Sequence, residues 1–208
     1  MTQEAMVALI RRRGVKDRVV LEALQQVPRH QFVPQPQQDV AYEDYPLPIG
    51  YHQTISQPYI VALMTEALEL EPGERVLELG TGSGYQAAIL AAMGMEVYTV
   101  ERVPELHETA REHLQALGYA VQCRLGDGHS GWPEFAPYDG IMITAAPPEI
   151  PEPLWAQLAD GGRMVAPIGP PHGYQTLWKF IKRGKRIEKI NLGGVAFVPF
   201  IGDLDTNF

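Results

Sequence analysis

The sequence is poor in cysteine, in asparagine and in positive charge, and it contains no long apolar run. Its single cysteine, Cys123, excludes a disulfide framework and a structural zinc site. No apolar segment approaches the roughly 20 residues that span a membrane, and the amphipathic residues 1–14 lack the pattern of a secretory signal. We therefore expect a cytoplasmic protein without a membrane partner.

Acidic residues outnumber basic ones, 25 to 17, which gives a formal net charge of −8. Because nucleic-acid binding requires a basic face, we expect no nucleic-acid partner. The densest basic runs have simpler explanations. Residues 11–13 lie at a predicted helix C-terminus, which favours cations, and residues 179–189 belong to a predicted solvated hairpin. The two asparagines and 18 prolines are a composition typical of heat-adapted proteins.

From residue 75 onward, strand-like and helix-like patterns alternate, which predicts a doubly wound α/β fold with a mostly parallel sheet. The predicted strands are 75–79, 96–100, 121–125, 138–144 and 162–167, and the predicted helices are 84–93, 104–117 and 151–159. The last strands, 174–183 and 186–198, flank the turn Gly184-Lys185. They predict an antiparallel C-terminal hairpin that brings the sheet to seven strands. A length of 208 residues predicts a single domain. We expect a monomer, which the length itself does not establish.

The residues before the sheet have a different character. Amphipathic patterns predict helices at 2–13, at about 17–27 with Asp17 as N-cap, and at 58–69. The stretch 28–58 is rich in proline and aromatic residues and is too polar and broken for a core element. A loop of this length in a compact domain indicates a functional role.

Three glycines at alternate positions, Gly80, Gly82 and Gly84, follow an apolar strand and precede a helix. A glycine turn at a helix N-terminus lets a ligand lie against bare backbone. The dinucleotide fingerprint is G-x-G-x-x-G, but Tyr85 occupies the place of its third glycine. The G-x-G-x-G pattern, which includes Thr81, instead resembles the nucleotide loop of methyltransferases that use S-adenosylmethionine.

Acidic residues follow the next two strands. Glu101 ends the strand about twenty residues past the glycines, where a carboxylate can accept hydrogen bonds from both ribose hydroxyls of a nucleotide. Asp127, between Gly126 and Gly128, can approach a flat base and accept from its exocyclic amine. Glu78 either reaches the amino group of a methionine moiety through water or is a buried structural acid. Strand ends that present Gly, Glu and Asp in this order predict an adenosine pocket.

Several further segments resemble one family of methyltransferases. They are 27–34 (VPRHQFVP), 41–50 (AYEDYPLPIG), 53–58 (QTISQP), 126–128 (GDG), 138–140 (YDG), 144–147 (TAAP) and 197–200 (FVPF). Over nearly the whole chain they closely resemble the protein-L-isoaspartate O-methyltransferases, and Thr-Ile-Ser-x-Pro is the most specific part. The chain departs from the family pattern at Tyr51-His52, usually a small or polar pair, and at Ile201-Gly202, where the family has a threonine.

The resemblance implies a Rossmann-like methyltransferase that uses S-adenosyl-L-methionine and releases S-adenosyl-L-homocysteine. Its partners would be isoaspartyl-containing peptides and proteins, in which it methylates the free α-carboxylate of an L-isoaspartyl residue. The ester then closes to a succinimide, which hydrolyses partly to normal aspartate. Within the single domain 1–208, residues 1–70 would carry the N-terminal helical extension and the substrate loop, 71–170 the cofactor-binding core, and 171–208 the C-terminal hairpin and tail.

Ser56 is the candidate catalytic residue. A carboxylate with a pKa near 4 is ionised at neutral pH, so its methylation needs alignment and exclusion of water but no general base. A serine hydroxyl and nearby helix N–H groups hold a carboxylate more lightly than arginine or lysine, which would over-stabilise the ground state. The competing interpretation is that Ser56 only caps helix 58–69.

The remaining candidates fall into two groups. The cofactor-binding candidates are Glu78, Gly80, Thr81, Gly82, Gly84, Glu101, Asp127 and Gly128, and the substrate-binding candidates are Thr54, Ile55, Val198 and Pro199. The six histidines lack metal-ligand spacing, so we expect no metal.

Three other functions remain open. A methyltransferase of the same fold could act on a small molecule or on RNA, although the net charge of −8 disfavours RNA. An oxidoreductase could bind NAD in the same pocket, although the early third glycine argues against it. A non-catalytic adenosyl-binding module would be expected to lose the loop around Ser56, which is present here.

Overall fold

A computed structural model describes residues 1–170 and 173–202. A seven-stranded sheet with the order β5-β4-β3-β6-β7-β8-β9 forms its centre, and β1 and β2 form a two-stranded hairpin. The strands are β1 (Leu47–Gly50), β2 (Gln53–Ile55), β3 (Arg75–Leu79), β4 (Glu96–Glu101), β5 (Val121–Leu125), β6 (Tyr138–Ile143), β7 (Leu158–Ile168), β8 (Gln175–Arg183) and β9 (Arg186–Val195). Strands β3 to β7 pair in parallel with their neighbours. Strand β8 pairs antiparallel with both β7 and β9. The predicted sheet with its closing hairpin is confirmed.

The first two helices begin at a side-chain N-cap, and two later helices begin with proline. They are α1 (Gln3–Arg12), α2 (Arg18–Gln26), α3 (Pro58–Leu68), α4 (Tyr85–Ala92), α5 (Pro104–Ala116) and α6 (Glu152–Gln157). The Asp17 carboxylate accepts from the backbone N–H of Val19 at 2.8 Å and of Val20 at 3.2 Å, which confirms it as the N-cap of α2. Helix α5 starts at Pro104 and ends before Gly118, whose φ is +78°.

The apolar core lies on both faces of the sheet. The central strand β3 is buried on both faces, and Val76, Leu77 and Leu79 have no accessible surface. One face is covered by α3 and α4, on which α1 and α2 pack, and the other by a cluster that includes Trp132 and Leu154. Strand β9, at the edge, is largely exposed. Because β3, β4 and β6 are parallel neighbours, their carboxyl ends meet at one edge of the sheet, where ligands bind in such folds.

The stretch 28–58 is more ordered than its sequence predicted. It forms two short 3-10 helices, Arg29–Phe32 and Gln35–Val40, and then the β1–β2 hairpin. Its apolar residues belong to the core: Phe32, Val33, Ala41, Leu47 and Ile55 are all buried. The interpretation that it contains no core element was therefore wrong. Polar residues separate the apolar ones, and no local periodicity reports that they join a core cluster whose other members, such as Met6 and Ile89, lie far away in the sequence.

Three boundaries differ from the prediction by two or more residues, and the largest difference is at β7, which begins at Leu158 rather than at 162. Helix α6 ends at Gln157 rather than 159, because Leu158 already pairs with Tyr138 as the first residue of β7. Strand β9 ends at Val195 rather than 198, because the following residues leave β8 and form a bridge between Pro199 and Ala146. Among the described residues, no helix is both long and apolar enough to cross a membrane.

Candidate active site

The glycine loop between β3 and α4 lies at the carboxyl edge of the sheet. Gly80, Gly82 and Gly84 have φ values of +100°, +54° and +87°, a region that side chains rarely adopt. A Cβ added at Gly80 would lie 2.4 Å from Thr144 Oγ1. The loop therefore needs glycine for both its conformation and its contact with the end of β6. It presents bare backbone to a cavity whose lining includes Gly80, Gly82, Glu101 and Ser56.

Glu101 ends β4 directly beside this loop. Its Oε2 accepts from the Gly82 N–H at 2.8 Å, and its Oε1 accepts from the N–H groups of Arg102 and Val103, both at 2.9 Å. The side chain lines the cavity although it is only 6% exposed. The backbone thus fixes the carboxylate in the position that the spacing from the glycines predicted.

Glu78 lies within β3 and is fully buried at the base of the cavity. The Thr99 hydroxyl donates to its Oε2 at 2.6 Å, and Thr99 Oγ1 also lies 2.6 Å from Thr81 Oγ1. Its Oε1 has no hydrogen-bond partner among the described residues. Burial raises the pKa of Glu78 to about 8; the bond from Thr99 opposes this shift, and the charge of Glu101 adds to it. A neutral, half-satisfied carboxyl group therefore faces the cavity at pH 7.

Asp127 is oriented differently from the other two acids. Its Oδ1 accepts from the His129 N–H at 2.9 Å and lies 2.8 Å from His129 Nδ1, so it caps the short 3-10 helix Gly128–Ser130. Gly128 lines the cavity, but Asp127 does not. A Cβ on Gly128 would lie 2.8 Å from the Phe200 ring, which fixes the close approach of the C-terminal segment. A contact between Asp127 and an adenine base stays a prediction.

Ser56 lies between β2 and α3 and lines the same cavity. The N-cap of α3 is Gln57, and the helix has no side-chain cap. The interpretation of Ser56 as a cap is therefore wrong. Ser56 lines both this cavity and a separate groove of about 450 Å³. Thr54 and Val198 line both spaces as well, while Ile55 and Pro199 line only the first.

The C-terminal segment that forms this wall is held by backbone bonds. The Ala146 N–H donates to the Val198 carbonyl at 2.8 Å, and the Phe200 N–H donates to the Ala146 carbonyl at 3.0 Å. The buried Gln175 side chain makes a pair of bonds to the backbone of Phe197, at 2.6 and 3.1 Å. Residues 197–200 thus have a fixed position relative to β6 and β8.

Some residues at the site had no assigned role in the sequence. They are Gln53, Ser83, Gln86, Arg102, Val103, Thr144, Ala145, Phe200 and Ile201, all of which line the cavity. Thr144 holds the loop, since its Oγ1 lies 2.6 Å from the Gly80 carbonyl and 2.9 Å from that of Leu79. Its place at the end of β6, next to β3, was the signal that could have identified it. Residues 1–170 and 173–202 contain no cluster of ligands that could hold a metal, and His172 lies outside them.

The sheet order, the G-x-G-x-G loop and the acid at the end of β4 define an S-adenosylmethionine-dependent methyltransferase of Rossmann-like fold. The family model for protein-L-isoaspartate(D-aspartate) O-methyltransferase matches residues 1–205. The chain belongs to this family, and S-adenosylmethionine is its methyl donor.

Relatives and solved structures agree with this assignment. A protein-L-isoaspartate O-methyltransferase of Dictyoglomus thermophilum is 56% identical over 199 residues, which cover 95% of this chain and 90% of the relative. One from Methanoculleus marisnigri is 57% identical and covers 93% and 88%. A solved protein-L-isoaspartate O-methyltransferase is 31% identical with a TM-score of 0.90, over 98% of this chain and 67% of that one. A Plasmodium falciparum structure of the same kind, in complex with S-adenosyl-L-homocysteine, is 25% identical with a TM-score of 0.83, over 97% and 99%.

Proposed function

We propose that this chain transfers a methyl group from S-adenosylmethionine to the free α-carboxylate of L-isoaspartyl residues in damaged proteins and peptides. The resulting ester is displaced by the neighbouring backbone nitrogen to give a succinimide, which hydrolyses partly to normal aspartate. The observation that carries this proposal is the position of Ser56, on a wall shared by the cofactor cavity and an open groove.

The residues present fit the cofactor. The loop Gly80–Gly84 offers bare backbone to a nucleoside, and a side chain at Gly80 would collide with Thr144 and displace the loop. The fixed Glu101 carboxylate suits the ribose hydroxyls. The free Oε1 of buried Glu78 suits the amino group of the methionine moiety, reached directly or through water. Thr81 and Gly128 complete the walls of this part of the cavity. When bound, the cofactor supplies an electrophilic methyl group on a sulfonium.

The acceptor side needs positioning rather than proton transfer, because a carboxylate is already ionised at neutral pH. In our proposal the Ser56 hydroxyl donates a hydrogen bond to the α-carboxylate and orients one oxygen toward the cofactor. No lysine or arginine belongs to the described lining of the groove. Opposite charges are neutralised during this transfer, so a strong cation at the carboxylate would stabilise the ground state more than the transition state.

The peptide itself is held through its backbone. A repair enzyme must accept many sequences, so its contacts should fall on the main chain and the displaced carboxylate. Thr54 and Ile55 from β2, and Val198 and Pro199 from the C-terminal segment, line the cavity together with Ser56 and would make these contacts.

We also propose that the chain acts as one functional domain and as a monomer, in the cytoplasm and without a nucleic-acid or membrane partner. The net charge of −8 supports the exclusion of nucleic acid. The segments 1–70, 71–170 and 171–208 would supply the substrate loop, the cofactor core and the groove wall. A core cluster that includes residues of all three segments, such as Phe32, Ile89 and Leu177, supports a single unit.

Mass spectrometry after chromatographic separation of the isomeric isoaspartyl and aspartyl peptides tests the reaction during turnover. We expect a transient methyl ester, then a succinimide, and then a growing fraction of the aspartyl peptide. A stable ester that never cyclises, or methylation at a side chain other than the isoaspartyl one, would contradict the repair function.

A further inference from the structure

A groove beside Ser56 leads away from the cofactor cavity to an exposed tyrosine. The groove has a volume of about 450 Å³ and shares Thr54, Ser56, Thr144 and Val198 with the cavity. A peptide whose α-carboxylate lies at Ser56 therefore continues into this groove. The residues next to the isoaspartyl residue are the ones that would occupy it.

Tyr174 stands at the far wall of the groove with 77% of its surface exposed. Its ring lies over Gly194 of β9. A Cβ added at Gly194 would be 3.3 Å from the tyrosine hydroxyl oxygen and 3.5 Å from Cε2. The glycine leaves room for the ring against the strand, so one aromatic face stays available to a ligand.

The tyrosine is attached to a rigid part of the wall. Its neighbour Gln175 is buried and bonds to both the N–H and the carbonyl of Phe197. Val198 is held in turn by the N–H of Ala146 at 2.8 Å. These bonds fix the start of β8 relative to the segment that borders Ser56. The backbone of Tyr174 therefore has a defined position relative to the reacting carboxylate.

The chemistry of the groove selects its occupant. Its described lining contains no charged side chain, and its apolar members include Pro46, Ile60 and Phe197. A charged side chain in this space would lose water and meet no opposite charge among the described lining residues, whose polar members, such as Gln57, are neutral. An apolar or aromatic side chain would instead pack on the tyrosine ring and on the apolar wall.

We propose that Tyr174 is a specificity-determining residue that binds an uncharged, apolar or aromatic side chain flanking the isoaspartyl residue. This role rests on the proposed function, since it assumes that the reacting carboxylate lies at Ser56. It adds a side-chain preference at one flanking position to recognition that otherwise falls on the backbone.

A panel of isoaspartyl peptides tests the proposal. Each peptide carries Phe, Gly or Asp at one flanking position, which is either the position before the isoaspartyl residue or the position after it. The value of kcat/KM is measured for each peptide. At one position we expect Phe to exceed Asp by about tenfold, the size of selectivity that an apolar pocket supplies. Tyr174→Ala should reduce that ratio to about threefold or less, and Tyr174→Phe should retain it, because the ring makes the contact.

Ile190→Ala is the matched control, because Ile190 is a 44% exposed apolar residue on β9 outside both cavities. It should leave every ratio unchanged, and all three variants should bind S-adenosylhomocysteine like the wild type. Equal kcat/KM across the panel in the wild type, or an unchanged ratio in Tyr174→Ala, would overturn the role of Tyr174 while isoaspartyl methylation persists. Failure to methylate any isoaspartyl peptide would overturn the proposed function and this role together.

Discussion

The two halves of the active site are built in opposite ways. The cofactor half is assembled from strand ends that are consecutive in the sheet, and Glu78 and Glu101 are almost completely buried there. The substrate half combines the β1–β2 hairpin, the start of β8 and the C-terminal segment, and the described lining of its groove is uncharged. The first half holds a fixed ligand through specific polar groups, whereas the second accepts variable peptides through backbone and apolar surface. Four substitutions or conditions can break or sharpen this contrast.

Gly80→Ala should have the largest effect and should fall on the cofactor half. The new Cβ would meet Thr144 Oγ1 at 2.4 Å in a backbone with φ of +100°. Strain of about 1–3 kcal/mol plus this clash should weaken binding of S-adenosylhomocysteine at least about 100-fold, as measured by calorimetry. The control Gly118→Ala has a similar φ of +78° but no atom within 4 Å, so it carries strain alone. Equal affinity losses in the two variants would contradict a role for the contact at Gly80.

Glu101→Ala should have the second largest effect. It should reduce the free energy of cofactor binding by about 1–3 kcal/mol, the cost of unmade charged hydrogen bonds. The side chain also holds the Gly82 N–H, so part of the loss reflects a less ordered loop. Glu96→Ala is the control at the start of the same strand, where the side chain is exposed and pairs with Arg75. Unchanged affinity in a folded Glu101→Ala protein would remove Glu101 from the cofactor site.

Glu78 should make cofactor binding depend on pH. Burial raises its pKa to about 8, so the free protein carries a neutral carboxyl group at pH 7. A cationic amino group favours the ionised form, so binding should release a proton. Affinity should then rise with pH, by up to about tenfold per unit below pH 8. Calorimetry of S-adenosylhomocysteine binding in buffers of different ionisation enthalpy measures that proton. Glu78→Gln should remove the dependence, and a pH-independent affinity in the wild type would contradict this assignment.

Ser56→Ala should have the smallest effect and should fall on the substrate half alone. Loss of one hydrogen bond to the carboxylate, worth about 0.5–1.5 kcal/mol, should lower kcat about twofold to tenfold. Affinity for S-adenosylhomocysteine should stay at the wild-type level. Ser130→Ala, at an exposed serine that lines neither cavity, is the control. Full turnover by Ser56→Ala at saturating peptide would exclude Ser56 from positioning.

The same contrast explains what the sequence could predict. The strands β3 to β6 and the positions of Gly80 and Glu101 followed from local patterns, because a glycine turn and an acid at a strand end are set by near neighbours. The β1–β2 hairpin did not, since its buried residues Leu47 and Ile55 belong to a core cluster that includes residues far away in the sequence, such as Met6 and Leu177. Asp127 shows a further limit, because its carboxylate bonds to His129, and the sequence could not indicate the orientation of its side chain.

The substrate half was identified by resemblance rather than by pattern. Thr54, Ser56 and Val198 share a wall only because residues 197–200 leave β9 and pair with Ala146. At Phe197 the Gln175 side chain, rather than the backbone of a neighbouring strand, bonds to both the N–H and the carbonyl. No periodicity in residues 186–198 marks the point where the strand ends.

Transfer of labelled methyl groups to two isomeric peptides tests the central claim most directly. The peptides have the same sequence and differ only in carrying L-isoaspartate or normal aspartate, so charge and composition are matched. The position of the carboxylate at Ser56 predicts labelling of the isoaspartyl peptide and essentially none of its aspartyl twin. Equal labelling of both peptides, or labelling of a transfer RNA while neither peptide is labelled, would contradict it.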